Sequence, residues 1–147
     1  MKSKPGTYIL VLRVDVDTPV QIGRWRLLDV RRGYYCYVGS AFGPGGVIAR
    51  VSRHCRTEKR RHWHIDYLSE IAGVESVWYS HSGSRLEHEW ASALSRLDDL
   101  EPVPGFGCSD CGCESHLFFC RRQPQLAAFA RAAREIVVAG DCGRLNP

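Results

Sequence analysis

The run Thr7–Val16 (TYILVLRVDV) is apolar and β-branched almost throughout and carries no glycine or proline, which predicts a central strand. Pro19 breaks it, and a second short strand is expected around Gln21–Trp25. Arg32-Gly33 makes a turn into Tyr34–Gly39 (YYCYVG), an aromatic segment that reads as another strand. The short connections favour antiparallel pairing. Gly43-Pro44-Gly45-Gly46 is a loop. In Val47–Cys55 (VIARVSRHC), helical spacing turns Val47, Ile48 and Val51 toward a core and leaves Arg50, Arg53 and His54 to the other side. Trp63–Leu68 (WHIDYL) opens a short helix, and Val74–Tyr79 is a third strand. Arg85–Leu97 reads as a helix with Leu86, Trp90, Leu94 and Leu97 as its buried stripe. Pro102–Gly112 is a glycine-containing loop, Leu117–Phe119 an edge strand, and Gln125–Ala139 a closing helix stopped by Gly140.

That order predicts an α+β fold, a small mixed or antiparallel sheet of three strands or slightly more, flanked by helices. At 147 residues the chain fits a single domain over 1–147, with its core at about 6–100 and a cysteine-rich loop and terminal helix over 101–140. A hydrophobic fraction of 44% excludes a disordered tail. No stretch is long and apolar enough to span a bilayer, and Arg13 and Asp15 interrupt the first apolar run, so signal-peptide anatomy is missing. The expectation is a cytoplasmic protein with no membrane partner. Seven cysteines, an odd count without an export signal, are expected to be thiols rather than a disulfide framework.

The net charge of +4 matters less than its placement. Arg50, Arg53, Arg56, Lys59, Arg60 and Arg61 lie in twelve residues opposed only by Glu58, a density that attracts a polyanion. His62 and His64 alternate around Trp63, within reach of phosphate or of solvent. Taken singly, each of these is an ordinary solvated residue, and Trp63 an ordinary core residue.

A joint pattern changes that weighting. Gly6-Thr7-Tyr8 and Tyr37-Val38-Gly39, on neighbouring strand-like segments, resemble the two tripeptides that name the GIY-YIG nuclease superfamily. Arg50 and His54, four residues apart on the next helix, and Glu87 on a later one resemble its remaining site positions. The segments HWHIDYL (62–68) and GFGCSDCGCESHL (105–117) resemble one branch, a DUF123-type domain of unknown function that is sometimes joined to an endonuclease III-like glycosylase. The resemblance covers nearly the whole chain. It implies a nuclease fold with Tyr8, Tyr37, Arg50, His54 and Glu87 at the catalytic site. It also implies one Mg²⁺ or Mn²⁺ ion at Glu87, nucleic acid as partner with DNA favoured over RNA, and a place in DNA repair beside a glycosylase.

The chemistry is coherent on its own terms. Arg50 offers a permanently charged planar fork for phosphate oxygens. Glu87 offers a hard oxygen ligand, and phosphate and waters would complete an octahedron around Mg²⁺. Glu89 competes for that role but points elsewhere, because residues two apart on a helix diverge. Tyr8 or Tyr37 would orient or deprotonate water, with help because an unperturbed phenol titrates near about pH 10. His54, with a reference pKa of about 6.5, is the easier base. Arg53, Arg56, Lys59, Arg60, Arg61, His62 and His64 are expected to contact the nucleic-acid backbone. A fold-retaining module that binds without cutting is the alternative, and a zinc-stabilised regulatory domain a third. Cys108, Cys111, Cys113 and His116 form C-x-x-C-x-C-x-x-H, zinc-type ligands within nine residues. Without a distant second pair a structural reading is favoured, with Asp110 capping and small buried thiols.

Overall fold

The computed structural model describes residues 1–108, 112–135 and 137–142. Its elements are β1 (Gly6–Val14), β2 (Thr18–Ile22), β3 (Arg26–Val30), β4 (Gly33–Ala41), α1 (Gly46–Cys55), α2 (His64–Leu68), β5 (Gly73–Ser80), α3 (Glu87–Ser95), β6 (Glu101–Pro102), β7 (Leu117–Cys120), α4 (Leu126–Ala133) and β8 (Val138–Gly140). Six strands form one sheet in the order β6-β7-β4-β1-β5-β8, antiparallel at every pairing. β2 and β3 form a separate antiparallel ribbon. The α+β class holds, and the sheet is antiparallel and twice the expected minimum size.

β1 lies between β4 and β5, and alternation along it builds two cores. Tyr8, Leu10, Leu12 and Val14 pack with Val47 and Val51 of α1, Ile65 and Leu68 of α2, and Ile22 and Val30 of the ribbon. Ile9 and Val11 pack with Leu86 just before α3, Trp90 and Leu94 of α3, and Phe129 of α4. A strand buried on both faces needs no polar alternation, which explains the unbroken apolar run from Ile9 to Leu12.

Three expectations are revised. Pro19 lies inside β2, where a two-stranded ribbon leaves edge positions that need no amide donor. β3 carries a weak signal because Leu27 is 60% exposed. The closing helix ends at Ala133, where Arg134 turns left-handed with φ 54°, and Val138–Gly140 pairs with β5 instead of continuing it. Helical periodicity in the alanine-rich stretch could not reveal that β5 had an edge to fill; Ile136 lies outside the described residues. The chain then reaches Cys142, which is disulfide-bonded to Cys55 at the end of α1 with the two Cα atoms 5.8 Å apart. That corrects the all-thiol reading. The partners are 87 residues apart, so only the tertiary fold places them at bridging distance. Among the described residues no helix is long and apolar enough to cross a membrane.

Phe129 stacks on Trp78 at 5.6 Å and meets Trp90 edge-on at 5.1 Å, making it the main link between α4 and the second core. Phe129→Ala should cost about 3–5 kcal/mol in urea unfolding, as expected for a truncated buried aromatic. Peptide mapping of alkylated, unreduced protein should find Cys55 and Cys142 unmodified.

Candidate functional site

In the β1–β4 register Tyr8 faces Gly39 and Tyr37 faces Leu10, so both tyrosines share the sheet face covered by α1. The ring of Tyr8 lies across β4 at the one residue that permits it, since a Cβ on Gly39 would stand 2.4 Å from the Tyr8 hydroxyl. Gly6 is equally confined, because a Cβ there would meet the Ser80 carbonyl oxygen at 2.1 Å. The two tripeptides are thus packing requirements as well as a motif.

On α1, Val47, Arg50, Val51 and His54 form an i, i+3, i+4, i+7 stripe, and His54 is only 2% exposed. The expectation that His54 belongs to the solvent side is therefore corrected. Its Nε2 lies 2.8 Å from the Tyr8 hydroxyl, and its buried Nδ1 has no hydrogen-bond partner among the described residues. Burial, then the charges of Lys59, Arg53 and Arg50, outweigh Asp66 and lower its pKa to about 3. The imidazole is neutral, not the ready base its reference pKa suggests. Burial and the neighbouring Tyr37 raise the Tyr8 phenol well above its usual value, and Arg50 partly opposes this. Burial and the charges of Glu87 and Asp66 raise Tyr37 likewise. Arg50 lies 4.6 Å from the Trp63 ring centroid, with no carboxylate in ion-pair range among the described residues.

Glu87 arrives from the opposite layer. The amide before it, on Leu86, donates to the Thr7 hydroxyl at 3.3 Å and ties the start of α3 to β1. Pairing of β4 with β7 ends at Tyr37–Leu117, and one more bond, from the Val38 amide to the His116 carbonyl at 2.9 Å, holds the edge of β4 before the cleft opens at Gly39. A cleft of about 290 Å³ sits there, lined by Tyr8, Tyr37, Gly39, Ser40, Arg50 and Glu87 and closed at one side by His62 and Trp63. Adjacent strand residues point to opposite faces, so a cleft touching both Gly39 and Ser40 wraps the open edge. A side chain from the second layer can then meet tyrosines from the first. Glu87 lies 3.4 Å from His116 Nδ1 and 3.5 Å from the Ser40 hydroxyl. Burial pushes its carboxyl up, but the His116 hydrogen bond and the charges of His116 and His88, with Ser40, outweigh it and hold the pKa below the usual range. A half-buried carboxylate kept ionised beside a hydroxyl suits a hard divalent cation. Glu89 lines a different cavity with Arg96 and Arg131.

The basic segment divides. Arg53 makes a two-pronged ion pair with Asp66 (3.0 and 2.9 Å) and donates to the Arg60 carbonyl at 2.9 Å. Asp66 also accepts from the backbone amides of His62 (2.7 Å) and Trp63 (2.9 Å), reaching back to cap α2. Lys59 donates to the His54 carbonyl at 2.8 Å, and Arg61 pairs with Glu70 at 3.1 Å. His64 stacks on Trp25 at 4.9 Å and accepts from the Gly107 amide at 3.3 Å. Arg56, Arg60 and His62 stay exposed, without a carboxylate partner among the described residues. Of the expected zinc set, the Cys108 thiol donates to the Phe106 carbonyl at 3.4 Å, while Cys111, like Asp110, lies outside the described residues. Cys113 and His116 meet His88 instead. Sequence reasoning missed Ser40 and His88. Trp63, expected in the core, packs partly buried against it and also lines the cleft. Asp66, raised by the family resemblance as a structural or site-lining residue without a chemical role, anchors the segment.

The chain belongs to the family described as domain of unknown function DUF123, which matches residues 7–138. Comparison with the curated proteins and with the solved structures found no match.

Two expectations follow from these electrostatics. Burial would raise the Asp66 carboxyl, but the Arg53 hydrogen bonds, the two backbone amides and the Arg53 charge hold it low. Its folded pKa is thus below the unfolded value of about 3.9. The pair stabilises fully above that pH and loses its effect as pH falls through the folded pKa. Arg53→Met should cost about 3 kcal/mol at neutral pH, the low end for a broken buried pair because Arg53 is 23% exposed. The deficit should shrink in acid, as followed by urea unfolding at several pH values. His54 works in the same direction: the unfolded imidazole takes a proton below about pH 6.5, and the folded one only near about 3. Its ring signals in NMR should stay those of the neutral form across pH 5–7, and an imidazolium there would show that the burial of the ring is misassigned.

Proposed function

We propose that this chain is a metal-dependent nuclease of the GIY-YIG superfamily, hydrolysing phosphodiester bonds in nucleic acid, with DNA the favoured substrate. The observation that carries this reading is convergence. Tyr8 from β1, Tyr37 from β4, Arg50 from α1 and Glu87 from α3 line one cleft, and His54 joins it through Tyr8. Phosphodiester hydrolysis needs a neutralised phosphate, a water that loses a proton and a stabilised leaving oxygen. Arg50, over the Trp63 ring and without a carboxylate partner among the described residues, suits two phosphate oxygens. Glu87 and Ser40 would hold Mg²⁺ or Mn²⁺, which when bound supplies charge neutralisation at the phosphate. Tyr37 orients the attacking water. Tyr8 takes the water's proton while passing its own to His54 Nε2. Burial is the main cause of His54's neutrality and the charges of Lys59, Arg53 and Arg50 follow it, so a phosphate beside Arg50 offsets only the smaller part and raises the proton affinity of this pair modestly. His62 lines the cleft, and Arg56 and Arg60 are exposed in the same segment; these three would supply backbone contacts. The repair role and the glycosylase partner rest on the family resemblance.

One observation favours the alternative, a module that binds nucleic acid without cutting it: the cleft's carboxylate is already engaged by His116. A single-turnover nicking assay with Mg²⁺ or Mn²⁺, run beside a binding assay in EDTA, separates the readings. Glu87→Gln and Arg50→Ala should each slow cleavage by about a hundredfold or more, and Glu87→Gln should leave binding in EDTA nearly unchanged. Full activity of Glu87→Gln, or cleavage in EDTA, would remove the metal from the mechanism. Binding without cleavage in any metal would select the alternative.

The basic rim gives a further test. Arg56→Ala combined with Arg60→Ala should weaken binding to all sequences alike. On duplex DNA the log–log salt dependence should flatten by about 0.9 for each phosphate that is no longer neutralised. Weakening confined to one sequence would make these residues readers of bases.

A further inference from the structure

We infer that His88, Cys113 and His116 form a zinc site, distinct from the divalent-cation position at Glu87. His88 is the second residue of α3, whereas Cys113 and His116 precede β7, and the fold brings one donor atom of each within 4.8 Å of the others. A tetrahedral zinc with bonds of about 2.0–2.3 Å needs donor atoms about 3.3–3.8 Å apart. Small side-chain adjustments close that difference. One thiolate and two imidazoles are a borderline-soft set that selects zinc over the hard cations suited to a carboxylate.

The most buried member is held in advance. His116 is 4% exposed, its amide donates to the Phe106 carbonyl and its carbonyl accepts from the Val38 amide, both at 2.9 Å. Its Nδ1 faces Glu87 at 3.4 Å, so the ion is taken through Nε2 with the carboxylate behind the ring, the usual support for a zinc-bound histidine. A cavity of about 180 Å³ bordered by His88, Cys113 and Ser115 gives access from solvent. A water or a further donor completes the tetrahedron. The ion ties the first turn of α3 to the segment before β7. It thereby fixes Glu87 twice: through its chain neighbour His88 and through the His116 ring.

The test reads metal, not cleavage, so it stands or falls independently of the nuclease reading. Full-length protein without a polyhistidine tag is analysed for metal by mass spectrometry, then stripped and reloaded with Zn²⁺ or Co²⁺. Wild type should carry about one zinc per chain, and its Co²⁺ form should show thiolate-to-cobalt charge-transfer absorption. Cys113→Ser should abolish that band. His88→Ala, at an exposed position where the fold is unaffected, should weaken zinc at least about tenfold in competition with a chelator, and Glu87→Gln about 10–100-fold. Wild type that takes up no zinc on reloading, a cobalt form without the thiolate band, or zinc fully retained by both Cys113→Ser and His88→Ala would overturn the assignment.

Discussion

Burial of β1 on both faces is the constraint from which the remaining architecture follows. A strand with Leu10 and Leu12 on one side and Ile9 and Val11 on the other must be covered twice. α1, α2 and the β2–β3 ribbon cover one side, α3 and α4 the other. Once both layers are in place, groups from opposite sides can meet only past an edge of the sheet. The β4 edge is bonded only as far as the Val38 amide and the His116 carbonyl, and the edge opens beyond that bond. The cleft is therefore a consequence of strand length as much as of side-chain chemistry. Its two layers contribute unlike groups: phenols and a guanidinium from the first, a carboxylate from the second.

Asp66 plays the corresponding part in the electrostatics. One buried carboxylate binds Arg53 and two backbone amides, which locks α1 to α2 and sets Trp63 beside both Arg50 and Arg53, with the Arg53 guanidinium 4.3 Å from its ring centroid. The cost of burying that charge is offset by four charge-assisted hydrogen bonds to it, two of them from the Arg53 guanidinium. This arrangement divides a run of like charges into structural members and exposed ones. Around His54, burial and the charges of Lys59, Arg53 and Arg50 keep the ring neutral against the opposing charge of Asp66. The residue that looks most like a base in isolation is held as a neutral hydrogen-bond partner for a tyrosine.

Patterns that depend on one element were legible from the amino-acid order. The apolar run of β1 and the stripe Leu86, Trp90 and Leu94 along α3 and its cap come from spacing within short segments, whereas the ordered set Tyr8, Tyr37, Arg50 and Glu87 was legible only through a family resemblance. Patterns that depend on a distant partner were not. Nothing local marks Val138–Gly140 as a strand, since its pairing partner is an edge of β5. Nothing local marks Cys55 and Cys142 as a disulfide. His54 read as polar-face because its buried partner, the Tyr8 hydroxyl, lies 46 positions earlier in the chain.

The sequence by itself determined the α+β class and the central strand, because hydrophobic period acts at short range, and its resemblance to a family named the groups proposed to do chemistry. Only the tertiary structure decided which of those groups meet and in what state. It committed Arg53 to Asp66 and drew His88 toward Cys113 and His116. It also moved the His54 and tyrosine pKa values through burial. Those outcomes depend on desolvation and on distances between residues far apart in the chain, and neither exists until the two layers close over the sheet.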